Sequence, residues 1–149
     1  MKDSKVKKED WEMWLAHWSQ VAHPIAPGRY SLSIYRKNIK KYVKGKRALL
    51  LGATWQLRDL MAKMGLIVDV VEISPIVLEA HNHMCKVKKR KENLIINDWL
   101  SYTSKEKYDL VIGDASSFQF SEKNYDRFFK KTASWLKEDG VSIQLIMMN

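Results

Sequence analysis

The stretch RALLLGATWQL, residues 47–57, decides how the chain reads. A short unbroken apolar run, Ala48 to Leu51, ends on Gly52, and helical spacing begins within two residues. Continuous apolar runs of this length mark strands covered on both faces. Glycine has no Cβ, so a ligand can come close to its backbone. A helix opening near Thr54 offers unpaired N–H groups to a carboxylate or phosphate. Thr54 can cap that helix or give its hydroxyl to the same anion. The stretch describes a strand, a turn and a helix with a seat for a small anionic or nucleotide-like ligand. For Gly52 alone, a tight turn is an equally good account.

Working outward, the same alternation repeats. LIVDVVE (66–72) reads as a second strand, and SPIVLEAHNHMCKV (74–87) as a helix with Ser74 as N-cap and Pro75 in the first turn. NLIIND (93–98) and YDLVIGD (108–114) are a third and a fourth strand. Tyr125, Phe128, Phe129, Thr132, Trp135 and Leu136 mark a helix closed by EDG (138–140), and VSIQLIMM (141–148) is a fifth strand. Before residue 46 the rhythm is helical: Trp11, Trp14, Leu15, Trp18, Val21 and Ala22 share one face, then Leu32, Tyr35, Ile39 and Tyr42 another. In the helix after Gly52, Leu57, Leu60, Met61 and Met64 are expected inward. The expected organisation is an N-terminal helical segment, 1–45, on an α/β core, 46–149, in one structural domain. Alternating strands and helices at this pitch predict a mostly parallel sheet with helices on both faces, a three-layer α/β/α sandwich.

Ligands of such sheets sit at the carboxyl ends of the strands. The residues just past each strand are therefore informative: Gly52-Ala53-Thr54, Glu72-Ile73-Ser74, Asn97-Asp98-Trp99 and Asp114-Ala115-Ser116. Three successive strands end on an acid. Glu72, twenty residues after Gly52, can accept hydrogen bonds from vicinal ribose hydroxyls. Asp98 can accept from an exocyclic amine, and the Trp99 indole can wall a flat base. A solvated acid, a capping aspartate and a core tryptophan are the plain structural alternatives.

In order and distance, LLLGAT, VVEIS, INDWL and YDLVIGDAS resemble the class I S-adenosylmethionine-dependent methyltransferases. The resemblance implies a Rossmann-like sheet of about five strands in the order 3-2-1-4-5 and methyl transfer to an unidentified acceptor. It implies that S-adenosyl-L-methionine, leaving as S-adenosyl-L-homocysteine, is held by Gly52, Ala53 and Thr54, by Glu72, Ile73 and Ser74, by Asp98 and Trp99, and by Asp114 and Ala115. Asp114 is the candidate for a catalytic contribution; Trp14, Trp18 and Tyr30 are candidates to fold over the cofactor. Two departures stand out. The first loop, GATWQ, carries one glycine where the family has several, and the family's sheet continues past the fifth strand while this sequence stops at Asn149. An open apolar edge on the fifth strand is expected to be covered by a second copy or a partner chain. The alternative activity is a shortened module that binds the cofactor without turnover or needs a partner.

Other chemistries fit less well. G-x-G-x-x-G and the P-loop motif are not present, which argues against NAD and nucleoside-triphosphate sites. His81 and His83, two apart on a helix, point apart and make a poor metal pair, so no metal is expected. His17 and His23 are surface histidines on this reading, and the lone Cys85 an inert thiol. With no second cysteine and no secretory segment, a reducing compartment, the cytoplasm, is expected. No apolar run is long enough to span a membrane. The net charge of +9 permits a nucleic-acid partner, but lysine outnumbers arginine and a solvated basic surface is favoured over a nucleic-acid methyltransferase.

Overall fold

A computed structural model of the chain describes residues 6–18, 20, 26–114 and 121–145. Five parallel strands are β1 (Arg47–Leu51), β2 (Ile67–Glu72), β3 (Lys91–Ile96), β4 (Tyr108–Gly113) and β5 (Leu136–Gln144). The helices are α1 (Lys8–Trp18), α2 (Arg29–Tyr42), α3 (Trp55–Lys63), α4 (Pro75–Met84) and α5 (Glu122–Trp135). The spatial order of the strands is β3-β2-β1-β4-β5, as the alternation and the resemblance imply.

The unbroken apolar run at 48–51 has the predicted cause. Ala48 and Leu50 face one core, with Tyr35 and Ile39 of α2, Leu57, Leu60 and Met61 of α3, and Leu78 of α4. Leu49 and Leu51 face the other, with Phe128 and Trp135 of α5. Alternate side chains thus serve opposite layers, and each fully buried leucine contributes about 1.5–3 kcal/mol. Met64 is partly buried against the first core. On α5 the expected face is shared out: Phe128, Thr132 and Trp135 are buried, while Phe129 is exposed. α1 buries no residue completely and lies along α4.

Polar groups lock the layers. Arg58 of α3, fully buried, meets both oxygens of Glu92 of β3 at 3.0 and 2.8 Å and Asn82 of α4 at 3.1 Å. Arg90 joins the same carboxylate at 2.9 Å. Asp69 of β2 accepts from the Tyr108 hydroxyl at 2.6 Å and from the Arg47 guanidinium at 3.3 Å.

β5 differs from its expected span. It starts at Leu136, paired with Tyr108, and resumes at Val141, paired with Leu110, so residues 137–140 bulge opposite Asp109. Lys137 reaches the Asp109 carboxylate at 3.0 Å, and a Cβ on Gly140 would lie 2.8 Å from the Tyr108 carbonyl oxygen. A bulge needing glycine at a close approach converts the expected helix-closing turn into part of the strand. Residues 146–148, expected at its end, lie outside the described residues. β3 runs 91–96 rather than 93–98, so Asp98 stands two residues beyond it.

Candidate cofactor site at the carboxyl ends of the strands

The strand register sets the site. Leu51 pairs with Val71 on one side and Gly113 on the other, so the next residues, Gly52, Glu72 and Asp114, form one row at the rim. Glu72 pairs onward with Ile96, which brings the segment carrying Asp98 and Trp99 to the same end.

Gly52 has φ +94°, in the left-handed region that disfavours any side chain. Its amide donates to the Val71 carbonyl at 2.9 Å, and the Trp99 Nε1–H donates to the same oxygen at 2.8 Å. A Cβ on Gly52 would lie 3.6 Å from the Trp99 ring and 3.9 Å from Glu72 Oε2. The structure therefore brings Gly52, Glu72 and Trp99 into one cluster.

Glu72 is buried, and its Oε1 accepts from the Ser74 amide at 2.9 Å. Burial pushes its pKa up, while backbone N–H groups of Ser74, Ala53 and Ile73 pull the other way. Ser74 is the N-cap of α4, its Oγ accepting from the Val77 amide at 3.3 Å. Ile73 beside it is 63% exposed, and Ile96, the register partner of Glu72, is 57% exposed. Asp98 turns back on its own segment: Oδ1 accepts from the Leu100 and Ser101 amides at 2.8 and 3.1 Å and so closes a turn, where the described residues form no helix for it to cap.

Thr54 holds the N-cap position of α3, yet its side chain makes no capping bond. His81 of α4 takes that role, its Nδ1 accepting from the Trp55 amide at 3.1 Å. Burial, aided by the Arg58 cation, lowers the His81 pKa to about 3, so the ring is neutral and Nδ1 is an acceptor. His83, two residues on, is exposed, 3.1 Å from Glu79, and stacked on Trp11. Trp14 and Trp18 pack against the His81 ring at 5.2 and 4.7 Å between centroids, which brings the aromatic face of α1 toward the first turn of α3. Tyr30 is 80% exposed at the start of α2. Asp114 is held from α2: the Tyr35 hydroxyl donates to its Oδ1 at 2.7 Å, and burial and that carboxylate push the phenol well above its usual range.

Sequence reasoning misses His81 as a helix cap and Tyr35 as the anchor of Asp114. The available signal for Tyr35 is a phenol hydroxyl on a mainly apolar helix face, a signal Tyr42 shares. Ala115, Ser116 and His23 lie outside the described residues. Cys85 is buried after α4, and burial pushes its thiol pKa up.

No protein-family model matches the sequence, and no curated protein does. Solved structures do. A glycopeptide N-methyltransferase, MtfA, complexed with S-adenosyl-L-methionine, superposes with a TM-score of 0.65 at 17% identity, over 76% of this chain and 48% of that one. An S-adenosylmethionine-dependent methyltransferase from Clostridium acetobutylicum gives 0.70 at 19%, over 89% and 56%. The CcbJ methyltransferase from Streptomyces caelestis gives 0.73 at 12%, over 87% and 54%. The fold is that of the class I, Rossmann-like methyltransferases. This chain spans about half the length of these proteins. No described helix is long and apolar enough to cross a membrane.

Proposed function

We propose that the chain binds S-adenosyl-L-methionine at this rim and transfers its methyl group to an acceptor. The observation that carries the reading is the meeting of Gly52, Glu72 and Trp99 at the ends of adjacent parallel strands. The residues fit the group. Glu72 offers an acid flanked in sequence by exposed Ile73 and in register by exposed Ile96, an acid for a ribose next to apolar surface for a flat base. Gly52 leaves the space beside Trp99 that a side chain would narrow. Ala53, Thr54 and the first turn of α3 face the cofactor's carboxylate end, Ser74 fixes the turn that presents Ile73, and Asp98 and Trp99 border the base.

When bound, the sulfonium supplies an activated methyl group whose carbon–sulfur bond breaks with the electron pair left on sulfur. The protein's part is to hold donor and acceptor in line and exclude water. Asp114, one strand across from Gly52 and fixed by Tyr35, is the candidate to orient the acceptor or receive its proton.

Titration calorimetry of the full chain with S-adenosyl-L-methionine, S-adenosyl-L-homocysteine and NAD tests the reading. Binding of the first two and not the third is expected; NAD alone binding overturns it. A second reading keeps cofactor binding but places catalysis in an assembly. Among the described residues β5 is the outer strand, and that position favours it, because an outer strand edge is a template for another chain. Turnover appearing only when a second chain is supplied supports that reading; turnover by a monomer in light scattering overturns it.

A further inference from the structure

We propose that the groove between α2 and α3 is a docking site for the sugar–phosphate backbone of a single-stranded nucleic acid. The groove has a volume of about 960 Å³ and lies on the face of the sheet opposite α5. α2 contributes Arg29, Arg36, Lys37 and Lys40, and the facing wall adds Lys63 and Lys86. Positions 29, 36, 37 and 40 fall on one helical stripe. Among the described residues, none of these six cations forms an ion pair. The one acid in the lining, Asp59, is committed to the backbone amides of Lys86 and Val87 at 2.9 and 3.1 Å. Six neighbouring positive charges against the single Asp59 carboxylate leave a strong net positive field for an anion.

The layout favours a long anion over a single phosphate. From Arg29 to Lys40 the helix rises about 16 Å, and the cations are spread along it rather than converging on one point. Lysine is the majority, which suits backbone charge and not the bidentate reading of base edges. The lining also includes apolar Leu32 and Leu60 and the Trp55 indole, with the Lys86 ammonium 5.2 Å from its ring centre. A cationic groove with an aromatic platform is how unpaired strands are bound without sequence preference: phosphates follow the charges and bases stack on the ring. A duplex hides those base faces.

The proposal does not rest on the methyltransferase reading, so it is tested without cofactor. Fluorescence anisotropy with a labelled 12-nucleotide RNA of mixed sequence, on the full chain, measures binding across a salt series. Arg36→Glu with Lys40→Glu is expected to weaken binding at least tenfold. The plot of log affinity against log salt should lose about 1.4 units of slope, two single-strand phosphate contacts. Lys123→Glu with Lys130→Glu on α5, the same change in charge on the other face, should alter affinity less than twofold. Arg36→Gln with Lys40→Gln serves if thermal melts show the charge-reversed protein unfolded. Absence of RNA binding, equal losses in the α2 and α5 variants, or displacement of the RNA by an equal charge of polyglutamate each overturns the proposal.

Discussion

The Trp99 indole N–H donates to the Val71 carbonyl at 2.8 Å, the oxygen that also receives the Gly52 amide. One backbone atom of β2 thus positions both the turn after β1 and the ring after β3. Gly52→Ala strains this point through the backbone: it forces an alanine into the left-handed region, which costs about 1–2 kcal/mol, while its Cβ meets the indole at an ordinary contact of 3.6 Å. A modest fall in melting temperature with a larger, at least tenfold, loss of S-adenosyl-L-methionine affinity by calorimetry is expected. Unchanged affinity would place the cofactor elsewhere.

Glu72 makes the binding pH-dependent. Its carboxylate must be ionised to accept from ribose hydroxyls, and burial has raised its pKa. Cofactor affinity should therefore fall as pH drops through a range above the usual carboxylate titration, and the fall should vanish in Glu72→Gln. For stability the sign is opposite. A carboxyl with a raised folded pKa favours folding most at low pH, and that contribution is lost as pH rises through its folded pKa. Glu72→Ala should weaken binding by about 1.5–3 kcal/mol through lost charge-assisted hydrogen bonds. Calorimetry between about pH 4.5 and 8, a range that brackets the ordinary carboxylate and histidine values, separates the two effects.

The legible part of the sequence is local or periodic. The run 48–51, Gly52, Glu72 and the Ser74-Pro75 helix start declare themselves within a few residues, and the sheet order agrees with them. Contacts between residues far apart are not legible. His81 caps a helix 26 residues away, and Tyr35 meets Asp114 across 79 positions. The start of β5 escapes the sequence because its bulge depends on Asp109 and the Tyr108 carbonyl, which nothing in residues 136–140 announces. Asp98 is legible only as a pair of alternatives, and its Oδ1 closes a turn instead of capping a helix.

His81 should tie stability to pH below neutrality. Its folded pKa of about 3 lies below the ordinary 6.5, so the unfolded chain takes up its proton first. Stability is then fully present above about 6.5 and is lost as pH falls toward 3, by a few kcal/mol in order of magnitude. His81→Gln should lower the melting temperature at about pH 7.5, through the lost ring and the lost cap on Trp55, worth about 0.5–2 kcal/mol for the cap alone. It should also flatten the decline between about pH 6.5 and 5. Parallel wild-type and variant curves across that window would refute the assignment.

Arg58 is the internal tie whose loss should be felt most. Its guanidinium is fully buried, and Glu92 is nearly so, with the carboxylate held below the ordinary range by Arg58 and Arg90 against the opposing pull of burial. Arg58→Ala leaves that carboxylate with one cation and opens a void between α3, α4 and β3. Breaking a buried pair costs about 3–5 kcal/mol. Arg58→Met with Glu92→Met should recover part of this, since it removes the stranded carboxylate but leaves Arg90 without the partner it holds at 2.9 Å. Urea unfolding of the two variants beside the wild type checks it: the single substitution should shift the midpoint well below that of the double. Equal midpoints would mean that volume, and not charge pairing, is what Arg58 supplies.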